Sequence, residues 1–461
     1  MVSPTKKRRL DSDSADSSSP PAKLTKLQPS VPSKPESSST QPGVLRWLEP
    51  LGKSRTCLHA VHLNPPSASK VAAFDLDGTI IASWSSKAPP LEWRWWKECV
   101  PTKLAQAANE GYSVVIITNQ AALKSPKLER EWKEKLALVV AAIPEVPFRL
   151  LAATAKDKFR KPMTGMWDEV ERIFADDGVE IDKSTSFFVG DFAGRIYGDS
   201  GKKKDFAGTD RKWALNVGVR FFTPEEYFLG EDPDLNFSLK GFHPSSLPQA
   251  LPLFEPVSSP LLPLKTTQEL VLFIGYPCLG KSTFYRTHFA PKGYDHINQD
   301  TLGTREKCVK AVEKALKAGH SCVVDNTNRD ASTRRFYLDL AKKHSVSVRA
   351  MLFTGSIDLA WHNNLYRAFC LPSSVQEREP SRDLLPLSAF KSFEDNYEEP
   401  QLAEGFTEIK RIHWVFEGTE DERKKWSQWL ELDEKRSHLV EGPVPSLERL
   451  FVRERTWQSS R

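Results

Sequence analysis

Two short stretches of this chain carry residues whose types and spacing suit phosphoryl chemistry. Asp75-Leu76-Asp77-Gly78-Thr79 sets two carboxylates two residues apart, directly after the apolar run Val71-Ala72-Ala73-Phe74. If that run is a strand, both acids sit at the edge of a sheet, and Gly78 lets the chain turn sharply there. One carboxylate can attack phosphorus to give an acyl phosphate, while a second protonates the leaving oxygen and later activates water. Such a site needs Mg²⁺ to offset the repulsion between carboxylate and phosphate. An acidic turn after a strand would look the same in isolation, so the rest of the chain must supply the missing parts.

It supplies them in order. Thr118-Asn119-Gln120 follows Val114-Val115-Ile116-Ile117 and offers a hydroxyl and an amide to phosphate oxygens, which makes Thr118 and Asn119 candidate contacts. Arg160-Lys161-Pro162 brings a lysine for the transferring group, with Arg160 beside it as a substrate contact, just before a helical stretch. Gly190-Asp191, after Phe187-Phe188-Val189, offers a third carboxylate for a metal. Asp205 and Asp210 either complete this acidic pocket or anchor a loop. The neighbouring Lys202-Lys203-Lys204 run is a solvated surface or a contact to a phosphate backbone. Trp84, Trp93, Trp95 and Trp96 could stack bases, but core packing is the better reading for most of them.

The second stretch is Gly275-Tyr276-Pro277-Cys278-Leu279-Gly280-Lys281-Ser282, which fits G-x-x-x-x-G-K-[ST] between the apolar run Leu270–Ile274 and a helix. Backbone N–H groups in such a loop, from Gly275 to Gly280 and on to Thr283, wrap the phosphates of ATP. Lys281 neutralises the β/γ oxygens and Ser282 holds Mg²⁺. Asp300 is the candidate general base toward an incoming hydroxyl. Asp325-Asn326-Thr327-Asn328 caps the next strand, with Asp325 and Thr327 expected at the acceptor. Arg367 lies where a lid would let it clamp the γ-phosphate.

Positioning these groups requires short apolar runs that end in polar residues, alternating with helical patterns. Helices are expected over 101–110, 164–177 and 305–318, each followed by glycine or stopping near one. That alternation predicts an α/β chain with two parallel sheets and ligands at the carboxyl edges of the strands. The expected organisation is a basic Ser/Pro-rich tail at 1–43, too poor in apolar residues to order itself, then a first domain over 44–235. A linker at 236–263 is stiffened by six prolines, and a second domain covers 264–461. The 461 residues carry 65 basic and 60 acidic side chains, a net charge of +5 that is at most a weak sign of a polyanionic partner. Six cysteines stand singly, without metal-type spacing, which points to free thiols in a reducing compartment. No apolar run approaches the ~18–20 residues of a membrane span, so no membrane partner is expected. Lys6-Lys7-Arg8-Arg9 in the tail reads as a nuclear import signal.

The order of motifs in the first domain resembles the haloacid dehalogenase-type phosphatases. That resemblance implies a Rossmannoid fold with Asp75 as nucleophile, Asp77 as general acid/base, and Thr118 and Lys161 on the phosphate. It also implies Mg²⁺ held by Asp75, Asp191 and the backbone carbonyl of Asp77. Such a phosphatase followed by a P-loop kinase resembles the polynucleotide kinase 3′-phosphatase family. The most specific runs are Ala73–Thr79, Arg160-Lys161-Pro162, Val189-Gly190-Asp191, Asp300-Thr301-Leu302-Gly303, His362-Asn363-Asn364 and Leu402–Phe406. The family resemblance implies removal of 3′-phosphates and ATP-dependent phosphorylation of 5′-hydroxyls at DNA ends, in a nuclear monomer that works with a repair ligase or scaffold. The tail is too short for the forkhead-associated domain of animal members, which needs roughly 100 residues. The competing expectation is a kinase/phosphatase of sugars or nucleotides. A scaffold with degenerate sites is disfavoured because every motif position is filled.

Overall fold

The computed structural model describes residues 44–83, 89–196, 205–248, 251–263, 267–371 and 383–432, all within one unit spanning Gln41–Arg461. The basic cluster of the tail, Trp84 and Lys202–Lys204 lie outside the described residues.

The first sheet is built from β1 (Leu45–Leu51), β2 (Cys57–His62), β3 (Val71–Phe74), β4 (Ser113–Asn119), β5 (Phe148–Ala153), β6 (Phe187–Val189) and β7 (Arg220–Phe222), in the order β1-β2-β5-β4-β3-β6-β7. From β5 to β7 the pairings are parallel, while the β1–β2 hairpin adds antiparallel to β5. All four residues of β3 are buried, as a central strand covered on both faces requires. One face packs against helix Val100–Asn109, through Val100, Leu104 and Ala107, and against helix Pro126–Ala141, through Trp132, Leu136, Val139 and Val140. The other face packs against helix Gly165–Asp176, through Met166, Trp167, Val170 and Phe174, and against helix Thr209–Val217, through Trp213 and Ala214. The expected helices begin and end within a residue of those observed. Trp93, Trp95 and Trp96 pack on the first of these cores, so the core reading holds for them.

The second sheet contains β8 (Phe254–Glu255), β9 (Glu269–Ile274), β10 (Asp295–Ile297), β11 (Cys322–Asp325), β12 (Ser347–Phe353) and β13 (Glu408–Ile412), ordered β10-β11-β9-β12-β13-β8. Every pairing is parallel except that of β8 with β13. Arg349 on β12 reaches Glu269 on β9 through a two-pronged pair, Nε to Oε2 at 2.7 Å and Nη2 to Oε1 at 2.6 Å. This fork fixes the two strands in register from within the protein.

The prolines of 236–263 predict a stiff, partly extended connection, in which Leu251, Leu253 and Phe254 could pack on a neighbour. The described part of that segment is packed. Phe237 bridges to Arg195, and Leu239 is buried. Leu253, Phe254, Leu261 and Leu262 join the core of the second sheet. Proline removes donors but leaves carbonyls that need partners, and buried Lys410 donates to Pro256 O at 3.1 Å and Ser259 O at 2.9 Å. Among the described residues, no helix is long and apolar enough to cross a membrane, and all six cysteines are free thiols.

Candidate active sites

In the first sheet, β3 lies between β4 and β6, so the residues that follow these three strands meet at one carboxyl edge. Asp75 and Asp77 leave β3, Thr118 and Asn119 end β4, and Asp191 follows β6. Gly78 turns the chain at φ +85°, and a Cβ there would stand 2.3 Å from Asp191 Oδ2. Only glycine allows Asp191 to close on the Asp75–Asp77 turn. Lys161 is buried, and its Nζ donates to Asp75 Oδ1 at 2.6 Å and Ile117 O at 2.9 Å and pairs with Asp210 Oδ1 at 2.7 Å. Its ammonium is therefore surrounded by protein oxygens, and its first role is to hold the Asp75 carboxylate. Asn119 spends both ends of its amide on the Lys161 backbone, accepting from N at 2.9 Å and donating to O at 3.2 Å. Asn119, expected as a substrate contact, sets the lysine turn in this structure. Arg160 is half-buried immediately before that turn.

One group that matters here was not singled out from the sequence. Gln120 Nε2 donates to Asp77 Oδ2 at 2.6 Å and to Thr118 Oγ1 at 3.1 Å, tying the acid/base candidate to β4. Of the two acids left undecided, Asp210 belongs to the pocket. It pairs with Lys161 through one oxygen and accepts from Phe192 N at 3.1 Å through the other. Asp205 anchors the loop, accepting from Arg195 N and Nε at 3.0 and 2.9 Å. Asp210 stands nineteen residues beyond Asp191, and the fold decides between the two readings by bringing it back to the pocket.

Carboxylate oxygens of Asp75, Asp191 and Asp210 lie within 4.8 Å of one another. Burial pushes the Asp75 carboxyl up to about 7 against the pull of Lys161, with Asp210 and Asp77 adding to the rise. Asp191 is raised well above the carboxylate range by burial and then by Asp75 and Asp210. Burial would lower Lys161, but Asp210 and Asp75 outweigh it and keep its ammonium above the usual value. Three crowded acids against one lysine leave an excess of negative charge, a donor set that suits a hard divalent cation with oxygen ligands.

In the second sheet the glycine-rich loop follows central strand β9, and β11 beside it ends in Asp325. Asp325 is buried. It accepts from His296 Nε2 at 2.9 Å and from Asn298 Nδ2 at 3.3 Å, and it bonds the Ser282 hydroxyl. Burial alone would raise this carboxyl, but His296, Ser282 and Lys281 hold it below its ordinary value. Asp325, expected to help position metal, water or acceptor, is thus enclosed on the Ser282 side. Lys281 is buried with its Nζ donating to Gly275 O at 3.0 Å and to Tyr276 O. Burial lowers it to about 8, opposed by Asp325. The loop's own carbonyls thus hold the ammonium at positions that phosphate oxygens would compete for.

Beside the loop, a cleft of about 230 Å³ is lined by Gly280, Thr283, Tyr366, Arg367, Trp414 and Phe416. Arg367 Nε is buried there without a partner among the described residues, so the cleft has an anion-seeking group. On the other side, Asp300 is exposed at the start of helix Gln299–Leu302, next to a groove of about 420 Å³ lined by Gln299, Thr304, Arg305, Thr327 and Arg329. Thr327, expected as an acceptor contact, lines this groove.

The chain was compared with known proteins. Residues 70–228 match the family model described as polynucleotide kinase 3 phosphatase, and residues 270–400 match one described as an AAA domain. The bifunctional polynucleotide phosphatase/kinase of Schizosaccharomyces pombe is 35% identical over 369 residues, covering 78% of this chain and 83% of that relative. A protein named as a bifunctional polynucleotide phosphatase/kinase in Acanthamoeba polyphaga mimivirus is 32% identical, covering 84% of this chain and 94% of its own length. The polynucleotide 3′-phosphatase ZDP of Arabidopsis thaliana is 32% identical over 176 residues, 35% of this chain and 24% of that relative.

Proposed function

The chain belongs to the family of bifunctional polynucleotide phosphatase/kinases, and from that premise we propose that it repairs DNA ends in the nucleus, removing 3′-phosphates at the first sheet and adding 5′-phosphates at the second. The observation that carries this reading is two separate phosphoryl sites in one chain. One is the Asp75–Lys161–Asp210 cluster at the carboxyl edge of the first sheet. The other is the glycine-rich loop facing Asp325 at the edge of the second. We assign the phosphatase to 44–235 and the kinase to 264–461, joined by 236–263.

At the first site, the Asp75 carboxylate attacks the phosphorus of a terminal 3′-phosphate. The bond from phosphorus to O3′ breaks, and Asp77 delivers a proton to the departing O3′. Gln120 holds Asp77 Oδ2 and leaves the other oxygen to carry that proton. Asp77 then takes a proton from water, the water attacks the aspartyl phosphate, inorganic phosphate leaves, and the Asp75 carboxylate is restored. Thr118 and Arg160 contact the phosphate, and Lys161 keeps Asp75 aimed. Asp75, Asp191 and the Asp77 carbonyl are the groups that would hold Mg²⁺, which when bound supplies positive charge against the phosphate.

At the second site, Asp300 takes the proton of a 5′-hydroxyl as O5′ attacks the γ-phosphorus of ATP, and ADP departs with the β–γ bridging oxygen. Gly275 to Thr283 cradle the phosphates through backbone N–H groups, Lys281 and Arg367 balance the charge, and Ser282 with Asp325 is the place for Mg²⁺. The groove with Thr327, Arg305 and Arg329 takes the acceptor strand, and the aromatic cleft takes the base of ATP.

The test offers the purified chain, with Mg²⁺ and ATP, an oligonucleotide carrying 5′-hydroxyl and 3′-phosphate ends beside sugar phosphates and free nucleotides. Polynucleotide ends should be turned over at least about a hundredfold more efficiently, and oligonucleotide binding should weaken steeply with salt. Equal turnover of the small substrates would refute the reading.

A further inference from the structure

Cys278, inside the phosphate-binding loop, has φ +65°, a left-handed conformation that favours glycine. Such a residue persists where its surroundings over-determine it, and here those surroundings can be traced. Asn363 Nδ2 donates to Cys278 O at 3.1 Å. The other end of the same amide, Oδ1, accepts from the indole Nε1 of Trp426 at 2.8 Å, which fixes the amide's orientation. Trp426 is in turn held from behind, since His362 Nε2 donates to its backbone O at 2.7 Å. Asn364 is locked against the Leu385 backbone by bonds of 3.0 and 3.1 Å and stands 3.7 Å from Cys278 Sγ. All four of these side chains are buried.

The segment that follows Trp426 is gripped at its other end by the phosphatase. Asn216 accepts from Trp429 N at 2.8 Å through Oδ1. Its Nδ2 donates both to Trp429 O and to Pro162 O, each at 2.8 Å. Pro162 adjoins Lys161, the lysine that holds Asp75. Met163, next in the same turn, forms one buried cluster with Leu365 and Leu430, and Lys425 Nζ stands 3.1 Å from Asp168. Residues 425–430 therefore touch the lysine turn of one site and, through Asn363, the phosphate loop of the other.

We propose that Trp426 and Asn363 are positioning residues for the kinase, holding the phosphate loop in its nucleotide-binding shape, and that segment 425–430 is a brace shared with the phosphatase's Lys161–Met163 turn. This rests on the reading of 275–282 as the ATP site. Asn363 donates to the loop at the Cys278 carbonyl, so its loss should loosen nucleotide binding more than it slows the chemical step.

The test compares the full-length chain with Trp426→Phe, Asn363→Asp and Asn216→Ala. The readouts are KM for ATP and kcat on a 5′-hydroxyl oligonucleotide, MgADP binding by calorimetry, 3′-phosphatase activity and the melting temperature. Trp426→Phe removes the indole N–H together with the five-membered ring while keeping an aromatic ring, and Asn363→Asp keeps the acceptor for Trp426 while losing the donor to Cys278. Each should raise the ATP KM and the MgADP Kd about 5- to 15-fold, with kcat within about threefold and phosphatase activity within about twofold. Asn216→Ala should raise the ATP KM about threefold or more while also lowering phosphatase activity. Unchanged ATP KM in folded Trp426→Phe and Asn363→Asp overturns the positioning role, and unchanged ATP KM in Asn216→Ala overturns the shared brace. Equal loss of both activities in Trp426→Phe and Asn363→Asp would mean a merely structural role and also overturns it. If Trp426→Phe fails to fold, the isosteric Asn363→Asp decides. A wild-type chain that neither binds MgADP nor phosphorylates would instead fail the ATP-site reading itself.

Discussion

Asp210 shows how much of a site one buried carboxylate can set. It shares the Lys161 ammonium with Asp75 and also accepts the Phe192 amide next to Asp191, so it touches the setting of both nucleophile and cation site. Asp210→Asn should lower 3′-phosphatase kcat about 10- to 100-fold, the usual cost of losing a group that orients metal-site ligands, while kinase kcat stays the same. A phosphatase rate within twofold of wild type would show that Lys161 does not need it. The acids of the DxDGT turn, the lysine after Arg160 and the Gly-Asp after β6 were legible because each stands at the end of an apolar run or the start of a helix. The Gln120–Asp77 bond was not, since it depends on where the first residue after β4 comes to rest, and Asp210 stayed between pocket and loop until the fold placed it. Asn119 and Asp325 were legible as polar residues at strand ends, but whether such a residue faces the ligand or holds a neighbour is decided by contacts that spacing does not encode.

Short elements do much of the positioning. Asn298 starts the single helical turn that presents Asp300, accepting from Asp300 N at 2.7 Å, and its Nδ2 donates to Asp325 O at 2.8 Å. Asn298→Ala should cost about 1 kcal/mol of stability as a lost N-cap and reduce kinase kcat about tenfold, with 3′-phosphatase activity intact; calorimetry and separate end-labelling assays measure the two. An unchanged kinase rate would free Asp300 from that cap. The strands of near-continuous apolar residues were read directly, whereas the β1–β2 hairpin was not. Cys57–His62 carries two histidines, yet every residue of it is buried. His62 is satisfied by Val146 O at 2.8 Å and His59 by Arg149 at 2.6 Å, long-range partners that sequence pattern cannot supply. The proline-rich stretch was legible only in part, for a related reason. Its backbone carbonyls are satisfied by Lys410, more than a hundred and fifty residues away.

Across the whole molecule, two sheets of similar class each concentrate charge at one edge and share buried contacts through Met163, Leu365 and Leu430. Burial lowers His59 and His243 to about 4 and His362 to about 3. Between about pH 6.5 and 4 the unfolded chain therefore binds protons that the folded chain refuses, and stability falls as pH drops through that window. For buried His362 alone the loss reaches about 2 kcal/mol by pH 5. Asp75 and Asp191, raised in the fold, act in the opposite direction, so saturating Mg²⁺ should sharpen the acid slope. Urea midpoints at pH 7.5 and 5.0 in Mg²⁺ test this, and equal midpoints would contradict it. Whether two independent phosphoryl sites act on opposite ends of a strand can be read from one comparison. An oligonucleotide with 5′-hydroxyl and 3′-phosphate termini is incubated with folded wild-type, Asp75→Ala and Lys281→Ala chains, and both termini are identified. Wild type should yield 5′-phosphate and 3′-hydroxyl, Asp75→Ala should add the 5′-phosphate but leave the 3′-phosphate, and Lys281→Ala should do the reverse; loss of both reactions in either folded variant would contradict the independence of the two sites.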